Sequence, residues 1–234
     1  AGLTNLRELQ LDGNQITDLS SLAGLKQLTT LGLTQNPKLT RAEIDKLKKA
    51  LPNCVIHHDL MNSAELIEAD IRGKLRKPGG EITQADLAKL KELGGYRGVS
   101  DISPMKGAIN VERIELSFNQ ISDLSPLAGM KKLWYLHAQA NRIANLSPLA
   151  GLTNLRELQL DGNQITDLSS LAGLKQLTTL GLTQNPKLTR AEIDKLKKAL
   201  PNCVIHHDLM NSAELIEADI RGKLRKPGGE YIQV

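Results

Sequence analysis

The chain has 234 residues, of which 40% are hydrophobic, 24% charged and only 2% aromatic, with a formal net charge of +4. These fractions are ordinary for a folded globular protein of one or two domains. The low aromatic content points to a core of stacked aliphatics. Lys and Arg are scattered over predicted helix faces, which argues against a nucleic-acid surface. No apolar run approaches a membrane span and no signal peptide is visible, although the chain starts without Met inside a repeat.

Residues 1–60 open with two coils carrying Asn14 and Asn36, and Pro37 ends that pattern. Thr40-x-x-Glu43 is a capping box for the helix TRAEIDKLKKAL, whose Ile44, Leu47 and Leu51 share one apolar face. Pro52-Asn53 stops it, and Cys54 to His57 reads as a last strand. Residues 61–107 look like an opposite cap. Asn62 or Ser63 starts a helix over Ala64 to Arg76, with Leu66, Ile67, Ile71 and Leu75 as its apolar stripe. Pro78-Gly79-Gly80 breaks it. Thr83-x-x-Asp86 then opens a second helix through Leu93, ended by Gly94-Gly95, and the chain joins a 22-residue register near Val99.

Residues 108–188 are four coils in that register. An asparagine returns every 22 residues, at Asn119, Asn141, Asn163 and Asn185. Before each comes a short apolar alternation. After the first three come Ile, an Asp or Asn two residues on, and Leu-Ser-Pro/Ser-Leu. Alternation places Leu158 and Leu160 inward and Glu157, Gln159 and Asp161 outward on a strand. The asparagine amide can both donate to and accept from turn backbone that would otherwise be buried unpaired. One such coil cannot bury its own leucines, so neighbours must stack.

The stretch Leu155 to Leu174, LRELQLDGNQITDLSSLAGL, matches LxxLxLxxNxIxDLxxLAxL letter for letter. It resembles the 22-residue leucine-rich repeat of the bacterial internalin class. The resemblance implies an α/β fold: a right-handed solenoid, a horseshoe arc with a parallel concave sheet and helical caps. It implies a binding character rather than any chemistry.

Residues 1–81 recur without a change as residues 150–230, whereas neighbouring 22-residue repeats differ at many positions. The duplication is therefore very recent or engineered, and engineering is the reading adopted. Three pieces follow: 1–60, the C-terminal half of a repeat domain; 61–209, a complete domain; and 210–234, a surplus N-terminal cap. The open end of the first piece carries Leu3, Leu6, Leu9, Leu11, Ile16, Leu19 and Leu22. The surplus cap offers Leu215, Ile216, Ile220 and Leu224, with Tyr231 and Ile232 as an adjoining strand. A homo-oligomer is expected, a ring or filament in which residues 210–234 of one copy cover residues 1–25 of the next.

No catalytic set is visible, and no cofactor or metal is expected. His57-His58-Asp59, repeated as His206-His207-Asp208, cannot chelate through adjacent residues of a strand, which face opposite ways. Cys54 and Cys203 read as buried free thiols, which suits a reducing compartment. The basic run Arg72 to Lys77, copied at Arg221 to Lys226, complements a helix dipole or meets an acidic partner. Ile232-x-Val234 at the end resembles a class II PDZ-domain ligand. On the concave wall one coil stands out. Trp134, the only tryptophan, lies beside Tyr135 and His137, with Arg113 and Glu115 on one side and Glu157 and Gln159 on the other. Aromatics with Arg on an exposed wall are the usual anchors for another protein.

Overall fold

Each coil contributes one three-residue strand, because its inward leucine needs two outward neighbours and the chain must then turn back. The computed structural model describes residues 5–209. Among these, β1 (Glu8–Gln10), β2 (Thr30–Gly32) and β3 (Val55–His57) form one parallel sheet in that order. A second parallel sheet runs β4 (Glu92–Gly94), β5 (Arg113–Glu115), β6 (Tyr135–His137), β7 (Glu157–Gln159), β8 (Thr179–Gly181) and β9 (Val204–His206). The constant spacing keeps the register: Arg113 pairs with Tyr135, Tyr135 with Glu157 and Glu157 with Thr179.

The asparagine ladder joins the coils. In Asn141, Oδ1 accepts from the Ile121 N–H at 2.9 Å. Its Nδ2 donates to the carbonyls of Leu116, Ala138 and Gln139 at 2.9–3.1 Å. One buried side chain thus pairs the turn backbone of two successive coils, and Asn119, Asn163 and Asn185 repeat the arrangement. On the return wall, Ser-Pro/Ser-Leu forms short 3-10 turns. Asp123 accepts both the Ser125 N–H (2.8 Å) and its hydroxyl (2.7 Å), which explains the acid two residues upstream. Those bonds hold the Asp123 carboxyl below the usual carboxylate range. Between the walls, Leu136, Leu158, Leu160, Ile165 and Leu171 are all fully buried.

The caps are helical: α1 (Arg41–Ala50), α2 (Ser63–Leu75), the single turn α3 (Gln84–Leu87) and α4 (Arg190–Ala199). Asn62 and Glu65 form a reciprocal capping box on α2. Helix α2 packs against β3 on one side and β4 with the Ser103–Met105 turn on the other. At this joint Arg41 grips Glu65 through two bonds of 2.8 and 2.7 Å, and Lys48 reaches the same carboxylate. Burial alone would raise the Glu65 carboxyl, but Arg41 and Lys48 outweigh it and bring it down to about 2. Gly79 passes so close to Asn53 that a Cβ there would lie 2.7 Å from the Asn53 Cα.

Three expectations need correction. The second helix does not run through Leu93; it ends at Leu87, and Glu92–Gly94 is strand β4. Lys91, on the threshold of that strand, accepts the Glu112 N–H (2.8 Å), and a Cβ on Gly94 would meet the Glu115 carbonyl at 2.1 Å. Pairing with the next coil overrode the helical spacing, and the sheet exceeds the four coils of 108–188. Cys54 and Cys203 are half-buried rather than buried, just outside their strands, and burial pushes both thiols up to about 11. Leu19, expected at the open face, is 1% exposed, since it joins the core cluster with Leu28, Leu31, Leu33 and Ile44.

Candidate functional site

Outward positions on β5, β6 and β7 converge in one cluster on the concave sheet. The Arg113 guanidinium lies 4.0 Å from the Tyr135 ring centroid and 5.1 Å from that of Trp134. Tyr135 in turn stacks on His137, with centroids 4.0 Å apart and planes at 27°. Strand register produces this column, because residues two apart share a face and Arg113 sits directly beside Tyr135. Trp134 immediately precedes the strand and meets Tyr135 edge-on at 5.8 Å.

Polar atoms lock the column. The Tyr135 hydroxyl lies 2.8 Å from His137 Nδ1, and His137 Nε2 lies 2.7 Å from Glu157. With the proton on Nε2, Tyr135 donates to the ring and the ring donates to Glu157. Glu115 approaches Nδ1 from the other side at 3.4 Å. Burial, with Glu115 and Glu157 nearby, pushes the Tyr135 phenol up, so it remains a donor. The rings are half-buried and held, so little side-chain entropy is left to lose on contact. No group of three His, Cys, Asp or Glu side chains that could hold a metal ion occurs among the described residues.

Of the residues expected on this wall, Arg113, Glu115, Trp134, Tyr135, His137 and Glu157 come together. Gln159 does not: its amide leans over Gly181, where a Cβ would lie 2.0 Å from its Oε1. One residue escaped the sequence reading. Phe118 is 68% exposed and edges a hollow of about 340 Å³ lined also by Glu115, Ser117, His137 and Gln139. The available signal was that the chain's single Phe stands one residue before Asn119, where the other coils carry Gly13, Gln35, Ala140, Gly162 and Gln184.

Elsewhere, three cations of the basic run are paired within the chain: Arg72 with Glu68, Lys74 with Asp70 and Lys77 with Asp86. His58 is buried and neither ring nitrogen has a partner among the described residues, while burial and then Lys48 bring it down to about 4. At the far end of the first sheet, Leu6, Leu9, Leu11, Ile16 and Leu22 are half-exposed. Leu3, Leu215, Ile216, Ile220, Leu224, Tyr231 and Ile232 lie outside the described residues, as do Arg221 to Lys226 and Val234.

Stacked coils with parallel strands, an asparagine ladder and helical ends define a leucine-rich repeat solenoid. A family model described as leucine-rich repeats (two copies) matches residues 4–49 and 153–198. In shape the chain is similar to an internalin (inlF) from Listeria monocytogenes, at TM-score 0.58 and 26% identity, covering 91% of this chain and 65% of that one. Internalin C2 (inlC2) from the same organism gives TM-score 0.51 and 26% identity, covering 86% of this chain and 80% of that one. A leucine-rich repeat protein of Leptospira interrogans, at 22% identity and TM-score 0.53, shares the fold and covers 87% and 55% of the two chains. No curated protein matches in sequence. The chain carries leucine-rich repeats and is similar in fold to the internalins.

Proposed function

We propose that this protein is a non-catalytic binding scaffold that recruits a protein or peptide to the concave sheet around Trp134 and Tyr135. The observation that carries the reading is the Arg113–Tyr135–His137 column, pre-ordered on a rigid sheet with Trp134 at its side. Aromatic and Arg anchors of this kind carry most of the affinity in protein interfaces, and leucine-rich repeat folds present such a wall without supplying chemistry. Trp134→Ala with Tyr135→Ala should abolish partner capture and leave the circular dichroism and melting profile close to the parent. A pull-down that recovered the same partners with the double variant would remove the reading.

A second reading is head-to-tail self-association of an engineered chain, with residues 210–234 of one copy covering residues 1–25 of the next. It is favoured by the half-exposed Leu6, Leu9, Leu11 and Ile16 beside β1, whose one strand neighbour among the described residues is β2. Light scattering across concentrations tests it. A defined oligomer that collapses to aggregate when residues 210–234 are deleted is expected, and a constant monomer mass for both chains would refute it.

A further inference from the structure

The residue before each ladder asparagine has a positive φ in every coil, and it is Gln35, Ala140 and Gln184 elsewhere (+55°, +51° and +55°), so Phe118 differs from its equivalents in carrying a large aromatic ring. Its φ is +61°, the left-handed region, and the corresponding residues of both identical copies are Gly13 and Gly162, at +70° and +67°. A bulky ring in that region costs stability, because its Cβ crowds the backbone. The ring is 68% exposed, so packing within the chain does not offset the cost. The turn itself is held by the Phe118 N–H donating to the Gln139 carbonyl at 2.9 Å, so what distinguishes the site is the exposed ring.

The charges around the adjoining hollow and strands include the carboxylates of Glu92, Glu115, Glu157 and Asp161 and the guanidiniums of Arg97 and Arg113, with Glu112 and Arg156 flanking Trp134. Arg113 is occupied by its stack on Tyr135. Glu115 and Glu157 lean toward His137 from both sides, yet their side chains remain 44% and 37% exposed. The face therefore offers an aromatic ring beside a pair of partly exposed carboxylates.

We propose that Phe118, with Glu115 and Glu157, selects a peptide segment that sets a cationic Lys or Arg side chain over His137, between the two carboxylates, and an apolar side chain against the Phe118 ring. This rests on the concave wall being the binding surface. Charge complementarity sets the partner's sign, and the aromatic ring sets its neighbour's character.

The test is selection of a displayed library of random linear peptides on the full chain, counter-selected on the Trp134→Ala/Tyr135→Ala variant. Retained peptides should be enriched in Lys or Arg next to aromatic or aliphatic residues, and should weaken as salt rises. Phe118→Gly should weaken them about tenfold or more while the melting temperature holds or rises, since glycine relieves the strain. Glu115→Gln with Glu157→Gln should give a comparable loss. If retained peptides lack basic residues, or bind Phe118→Gly as tightly as the parent, this assignment is overturned while the concave reading stands. If no peptide distinguishes the parent from the Trp134/Tyr135 variant, both fall.

Discussion

Leu9 and Leu158 occupy the same place in two copies of one sequence, yet the first is half-exposed and the second completely buried. Asn14 and Asn163 differ in the same way. Asn14 is exposed and its amide donates to the carbonyls of Leu11 and Asp12. Asn163 is 3% exposed, accepts from Ile143 and donates to Ala138, Leu160 and Asp161. Identical residues keep identical strands and caps but take their energetics from the neighbouring unit. That is the nearest-neighbour behaviour of a solenoid, in which each coil supplies half of two interfaces.

The comparison breaks most visibly at the leucines. Leu158→Ala should cost about 3–4 kcal/mol, because a fully enclosed side chain leaves a cavity. Leu9→Ala should cost roughly 1 kcal/mol, because water already reaches the site. Urea unfolding of the two single variants measures the difference, and equal losses would mean that both ends are covered in solution. Next come the ladder asparagines. Asn163→Ala leaves buried donors and acceptors unpaired and should cost roughly 1–3 kcal/mol, against less than about 1 kcal/mol for Asn14→Ala. If Asn163→Ala melted with the parent, the ladder account would be wrong.

A smaller effect sharpens the contrast at the joint between the units. His58 is depressed from 6.5 to about 4 by burial, and Glu65 from 4.5 to about 2 by Arg41 and Lys48 against its own burial. Both groups bind protons more readily when the joint is open. Stability of the joint is therefore complete above pH 6.5, falls toward pH 4 as His58 resists charging, and falls again from pH 4.5 toward 2 as Glu65 is neutralised. A loss on the order of 2 kcal/mol is expected, seen as faster proteolysis between α1 and α2. His58→Leu should flatten the first fall and Glu65→Gln the second. A cleavage rate independent of pH in the parent would remove the joint from this account.

Much of the concave cluster could be read from spacing alone. Period-2 alternation and a 22-residue repeat are sufficient to bring Arg113, Tyr135 and Glu157 side by side. What they cannot show is which way a long side chain leans. Gln159 turns away over Gly181 because the glycine leaves space there. Phe118 was missed for a different reason. It sits on a turn outside the alternation, where the residue varies from coil to coil (Gln35, Ala140, Gly162, Gln184) and gives no periodic signal.

By itself the sequence determined the coil, the strand register, the asparagine ladder and the helix starts. Each rests on interactions within one repeat or between neighbours at a constant offset: alternation, capping and amide pairing. Only the tertiary structure decided that Glu92–Gly94 joins the sheet rather than continuing a helix, since that choice depends on the backbone of β5 lying alongside. It also decided which of two identical leucines is buried, how far Cys54 is covered, and that α2 closes one unit while opening the next. Burial is a property of what lies across the interface, and two copies of one sequence carry no record of their different neighbours.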